Sequence, residues 1–237
     1  MADAPLDRTQ LAATFWGAVL LSVILAWVPG GHYALYPFAL LGTWTHELGH
    51  GLTALAVGGR FDTLELRPDL GGTAYTATSS GLQRALVAAG GLLGPSLVGG
   101  LIIVLGARAR TAPALLAALG VALLASVGLW IRDGFGVAAV TALGLVCLGM
   151  AAKAPLSLRA VTTQLVGIQV CLASLSFDYM FTSTFERDGR SMGSDTQHMA
   201  DALLLPYWVW GALIAALTLA ILGAAFWFAW MRDAKRR

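Results

Sequence analysis

The sequence has 237 residues, of which 57% are hydrophobic and 12% charged, with a mean hydropathy of +0.73. Soluble domains carry about 25% charged residues, so the composition excludes an ordinary soluble domain, and the apolar content excludes a disordered chain. The net charge of +2 provides no strong basic field, which argues against nucleic acid as a partner. The two cysteines lie in apolar runs and imply no disulfide. We expect an all-α, polytopic membrane protein surrounded by a lipid bilayer.

Charge-free intervals predict the membrane spans. A helix that crosses the hydrocarbon needs about 20 apolar residues, and intervals of about that length or longer separate the charged positions. Pro29-Gly30-Gly31 divides the first interval with a turn sequence. The pattern predicts a single integral membrane domain over 1–237, built as a bundle of about seven transmembrane helices. They are expected at about 11–28, 33–57, 82–106, 112–131, 134–152, 158–177 and 206–231.

Two connections are longer and more polar than the others. In 60–80, leucines alternate with polar residues, Pro68-Asp69-Leu70-Gly71-Gly72 supplies turn chemistry, and Thr73 to Thr78 favours a strand. This pattern predicts a β-hairpin over 61–78 at the membrane surface. In 178–205, the run from Glu186 to Arg190 predicts a solvated loop, and a short helix is expected after Ser194.

The basic tail, 231–237, is the densest cluster of positive charge beside a span and favours a cytoplasmic C-terminus. The sequence contains nothing that fixes an oligomeric state.

The second predicted helix contains Trp44-Thr45-His46-Glu47-Leu48-Gly49-His50. Residues four apart lie on one helical face, so the imidazoles of His46 and His50 can bind one Zn²⁺. Glu47 can then act as the general base toward the attacking water. Two imidazoles and a carboxylate facing lipid would cost a few kcal/mol, so they are expected to face a polar interior or to bind a ligand.

This motif in an early transmembrane helix, followed by Gly58-Gly59, a hairpin and a glycine-rich helix, resembles the site-2 protease clan of intramembrane zinc metalloproteases. The likeness is best over 32–106, the expected metalloprotease-like core, and is closest to the small bacterial branch. Residues 107–237 would add further helices and a third ligand. The resemblance implies that His46 and His50 bind zinc, that Glu47 activates water, and that the protein resides in a bacterial cytoplasmic (inner) membrane.

The motif supplies two zinc ligands, and the sequence leaves the identity of the third undecided. Site-2 proteases supply it from an Asp in a Leu-Asp-Gly sequence, which this chain lacks. Asp195, in Ser194-Asp195-Thr196-Gln197-His198 before a Leu-Pro-aromatic-Trp helix start, resembles the corresponding segment of the small branch. The same residues also fit an ordinary helix cap. Asp133 and His198 are the alternatives, and Asp178 is expected to be a membrane-boundary residue.

The glycine-rich third helix contains Gly94 and Pro95. The resemblance implies that they line the active site and bind substrate, whereas glycine spacing by itself indicates close helix packing.

Three functions are compatible with these residues. The leading hypothesis is a zinc endopeptidase that cleaves a membrane-protein or peptide substrate. The missing Leu-Asp-Gly keeps open an inactive or accessory subunit that binds a partner membrane protein. A metal transporter ranks last, because the long spans 85–107 and 202–231 contain no additional acidic or histidine residues along a path.

Overall fold

The computed structural model describes residues 8–175, 180–187 and 190–231. Its helices are α1 (Arg8–Trp27), α2 (Gly31–Ala56), α3 (Gly81–Gly106), α4 (Ala112–Leu129), α5 (Gly134–Lys153), α6 (Leu156–Ala173), α7 (Asp195–Ala202) and α8 (Tyr207–Phe226). A 3₁₀ turn (Ala109–Thr111) precedes α4, and a π-helical turn (Trp227–Met231) follows α8. Strands β1 (Arg60–Leu66) and β2 (Gly72–Ala77) form one antiparallel sheet, and β3 (Thr184–Arg187) and β4 (Arg190–Gly193) form another.

Five helices among the described residues are long and apolar enough to cross a membrane: α3, α4 with its preceding turn, α5, α6, and α8 with most of its final turn. The predicted count of seven spans is not confirmed. Helix α1 offers only a shorter apolar stretch, Ala12–Leu25. Helix α2 contains the polar residues of the His-Glu motif together with threonines and tyrosines, which lower its hydropathy.

The β1–β2 hairpin predicted over 61–78 is present, and its apolar face lies in the core. Phe61, Leu64 and Leu66 are buried, and an irregularity in strand pairing between Phe61 and Thr63 explains why Phe61 rather than Asp62 points inward. The Phe61 ring stacks on Trp130, with ring centroids 4.7 Å apart. The hairpin is therefore anchored between α2 and the connection from α4 to α5.

The prediction of a loop from Glu186 to Arg190 is wrong for the residues that the structure describes, because Glu186, Arg187 and Arg190 lie in β-strands. Thr184 pairs with Gly193 and Arg187 with Arg190, so this segment forms a second hairpin. Asp188-Gly189, which lie outside the described residues, are a typical two-residue hairpin sequence that the loop prediction overlooked. The short helix expected after Ser194 is present as α7.

Helices α2 and α3 pack closely because glycines meet at their crossing. A Cβ on Gly49 would lie 2.4 Å from the Gly90 carbonyl oxygen, and one on Gly94 would lie 3.0 Å from the Thr45 carbonyl oxygen. Neither position has room for a larger side chain without backbone movement. The close approach brings the His-Glu motif of α2 against the first half of α3.

Candidate metal centre

Three side chains from two distant parts of the chain converge at one point. The Nε2 atoms of His46 and His50 lie 3.1 Å apart, and Oδ2 of Asp195 lies 3.1 Å from the first and 3.3 Å from the second. Two ligands of a tetrahedral zinc are separated by about 3.3 Å, given bonds of about 2.0 Å. Two imidazole nitrogens and a carboxylate oxygen at this spacing fit the donor set of a catalytic zinc site, which uses three protein ligands.

Helix α3 orients the His50 imidazole. Its Nδ1 donates a hydrogen bond to the Val87 carbonyl oxygen at 2.8 Å, which leaves Nε2 as the atom with a free lone pair. A Cβ on Gly91 would lie 2.1 Å from His50 Cε1, so the ring occupies space that only glycine leaves open. Such a backbone hydrogen bond is the usual partner of a metal-binding histidine.

Asp195 reaches the imidazoles because Ser194 takes the capping role at the start of α7. Ser194 Oγ accepts a hydrogen bond from the Gln197 amide at 3.2 Å, so the Asp195 carboxylate is not needed as the cap. Burial by itself would raise the pKa of the Asp195 carboxyl, but His50 and His46 hold that pKa below its usual range. The ionised carboxylate is the form in which an aspartate binds a metal.

Glu47 lies beside this group and is oriented by the hairpin. Its Oε2 accepts a hydrogen bond from the Ala74 amide at 2.7 Å, and a Cβ on Gly72 would lie 2.7 Å from its Oε1. The side chain is buried, with 7% of its surface exposed. Strand β2 thus fixes the carboxylate next to the two histidines, where it can take a proton from an attacking water.

The cluster opens into a cavity of about 730 Å³. One wall is the length of β2, another is the N-terminal half of α3, and a third is formed by the second hairpin with α7. Its lining includes His46, Glu47, His50, Arg67, Thr73, Ala74, Thr76, Arg84, Val87, Thr184, Met192, Asp195 and His198.

The other candidate ligands take different places. Asp133 binds the Leu66 amide through Oδ1 at 3.0 Å and caps α5 by accepting from Gly136, so it joins β1 to α5. His198 lines the cavity, but among the described residues the group able to hold a metal is His46, His50 and Asp195. Asp178 lies outside the described residues.

Gly94 and Pro95 lie in α3, where Gly94 packs against α2 and Pro95 is buried. They are not among the described residues that line the cavity, and their expected contact with substrate stays a prediction.

Two backbone groups that orient the site gave no signal in the sequence. The Val87 carbonyl and the Ala74 amide act through their position rather than through a side chain. The glycine at position 91 was a usable sign, because a glycine facing the motif helix leaves space for a ring.

Comparison with known proteins agrees with the geometry. A family model described as Peptidase M50B-like matches residues 15–225, most of the chain. Searches of curated proteins and of solved structures give no match. Five apolar helices in the described part of the chain, together with this family, identify an integral membrane protein of the peptidase class. The chain therefore belongs to the Peptidase M50B-like family, within the site-2 protease family.

Proposed function

We propose that this protein is an intramembrane zinc endopeptidase, which hydrolyses peptide bonds of membrane-embedded substrates in a bacterial cytoplasmic membrane. The convergence of His46, His50 and Asp195 beside the buried Glu47, at the wall of a large cavity, is the observation that carries the proposal. Membership in the Peptidase M50B-like family supports it.

His46, His50 and Asp195 would hold the zinc ion through the three atoms that already lie within hydrogen-bond distance of one another. When bound, zinc would polarise the scissile carbonyl as a Lewis acid and make water a stronger acid.

Glu47 would serve as the proton carrier. It would accept a proton from water while the water oxygen bonds to the carbonyl carbon, and would deliver the proton to the leaving nitrogen as the carbon–nitrogen bond breaks. The Ala74 amide holds the carboxylate in place before substrate arrives, so little reorientation is needed.

The substrate would bind as an extended strand along the outer edge of β2. Leu64 and Ala74 face each other, and the Leu64 amide points away from β2 to the Trp130 carbonyl. In such an antiparallel pair, the polar backbone groups of Ala74 also point outward. Its amide is taken by Glu47, which leaves its carbonyl oxygen, and the outward groups of Thr76 two residues on, for a substrate strand. A substrate helix must unwind to reach this edge, because helical peptide bonds are enclosed by their own hydrogen bonds.

Substitution of Glu47 by Gln tests the activity. Purified native and Glu47→Gln proteins, zinc-loaded in liposomes, would be incubated with a library of quenched fluorescent single-span peptides. We expect products from the native protein and a loss of at least about a hundredfold with Glu47→Gln, since a general base contributes about 10²–10⁴ in rate.

Glu65→Gln is the matched control. Glu65 lies on β1 and binds the Tyr75 hydroxyl outside the cavity, so the variant should cleave like the native protein. Products that persist unchanged in Glu47→Gln would contradict the proposed mechanism. The absence of any product from the zinc-loaded native protein would favour an accessory subunit.

A further inference from the structure

The described lining of the cavity contains two carboxylates and two arginines. Glu47 and Asp195 are the carboxylates among its described lining residues, and both are engaged at the metal centre. Arg67 and Arg84 also line it. A bound peptide would therefore meet the positive charge of these two arginines.

The two arginines bracket strand β2. Arg67 stands at the turn before the strand, where its amide binds the Gly71 carbonyl oxygen, and Arg84 is the fourth residue of α3, after the strand. Because Glu47 lies against Gly72 and Ala74, the catalytic centre is near the first half of β2. Extended chain from Ala74 to Thr78 covers about 13 Å. The Arg84 amide donates to the carbonyl oxygen of Ser80, two residues after Thr78, so Arg84 lines the cavity at the Thr78 end of the strand.

Of the two arginines that line the described part of the cavity, Arg84 is the one without an ion pair to a described residue. Arg67 has a local carboxylate, with its Nε 3.6 Å from Oδ1 of Asp69. No ion pair of Arg84 is found with any of the residues described, and its side chain is exposed. A cation in the first turn of a helix also opposes the helix dipole, so the charge of Arg84 is not explained by stabilisation of that dipole.

We propose that Arg84 selects substrates with an acidic side chain three to five residues from the scissile bond, on the flank that lies along Thr76 and Thr78. This inference rests on the proposed function and names its substrate class. A guanidinium in a partly enclosed cavity binds a carboxylate by bidentate hydrogen bonds between opposite charges, which are stronger than the hydrogen bond that it donates to a neutral amide.

Peptide binding tests this selection separately from hydrolysis. In the zinc-loaded Glu47→Gln background, in a neutral detergent free of anionic lipid, fluorescence anisotropy would compare extended peptides that carry Glu or Gln at each position three to five residues from the centre. We expect the Glu peptides of one flank to bind about threefold to fivefold more tightly, the range of a partly exposed ion pair. Arg84→Gln should remove the difference, and Arg84→Glu should transfer it to Lys peptides.

Arg108→Glu provides the control for charge reversal. Arg108 follows the opposite end of α3 and is exposed, and it is not among the lining residues, so the preference should be unchanged. Helical circular dichroism and zinc content would establish that each variant is folded. Equal binding of Glu and Gln peptides at every position, or a preference that survives Arg84→Gln, would overturn the inference. A preference that depends on Arg84 without cleavage by the native protein would support it while counting against the peptidase.

Discussion

At the residue scale, a carboxylate can bind a metal only where neighbouring polar groups, rather than the carboxylate itself, satisfy the backbone amides around it. Ser194 caps α7, so Asp195 is left to contact His46 and His50. Asp133 is not free in this way, because both of its oxygens accept backbone hydrogen bonds. Two aspartates that are equivalent by residue type thus differ in what their surroundings leave free.

This difference predicts the effect of Asp133→Ala. The variant loses the cap of α5 and the bond to the Leu66 amide, so we expect the free energy of unfolding to fall by about 1–2 kcal/mol. Zinc content should remain that of the native protein. Thermal denaturation in detergent, together with zinc analysis of the folded protein, would measure both quantities.

Asp133→Asn keeps an acceptor oxygen and should recover part of the lost stability. A folded Asp133→Ala protein that has lost its zinc would contradict the structural role assigned to this carboxylate.

At the element scale, the two edges of the β1–β2 sheet differ in whether their backbone groups are covered. The edge of β1 is covered, since the Leu64 amide binds the Trp130 carbonyl oxygen at 3.0 Å and the Leu66 amide binds Asp133. The edge of β2 faces the cavity and Glu47. Under the proposed function, a substrate strand would therefore add on the side where Glu47 and the candidate metal ligands lie, and the covered edge would not compete for it.

Thr76→Pro tests this mode of binding. Proline removes the outward amide of Thr76 while the bonds between β1 and β2 remain, so cleavage of a susceptible peptide should fall about tenfold or more, mainly through a higher KM. Thr76→Val retains the amide and should behave like the native protein. Unchanged kinetics in the proline variant would refute strand addition at this edge.

The elements differ in how far the sequence determines them. Alternation of Leu64 and Leu66 with polar residues was enough for the first hairpin, because burial of one face has a period of two. The second hairpin was missed because its strands are only four residues long and lack such alternation. Helices α1 and α2 lie close to their predicted ranges, but among the described residues they are not in the set that is long and apolar enough to cross a membrane, so the predicted seven spans are not confirmed.

At the scale of the whole molecule, the candidate centre joins segments about 145 residues apart, since packing of α7 on α3 carries Asp195 to the motif helix. His46, Glu47 and His50 could be assigned from sequence because helical spacing fixes their mutual positions. Asp195 could be assigned only as one of several candidates. Its position depends on tertiary packing, which no local pattern encodes.

The most direct test of the account is the zinc content of the intact protein. Native, Asp195→Ala and Asp201→Ala proteins would be purified in detergent under zinc-replete conditions and analysed by mass spectrometry for metal per chain. Asp201 lies on the same helix, binds Gln197 and is exposed, so its variant controls for loss of a carboxylate from α7. We predict about one zinc per chain in the native and Asp201→Ala proteins and a clear loss in Asp195→Ala, as expected for removal of one of three ligands. Undiminished zinc in Asp195→Ala, or no zinc in the native protein, would contradict the central claim.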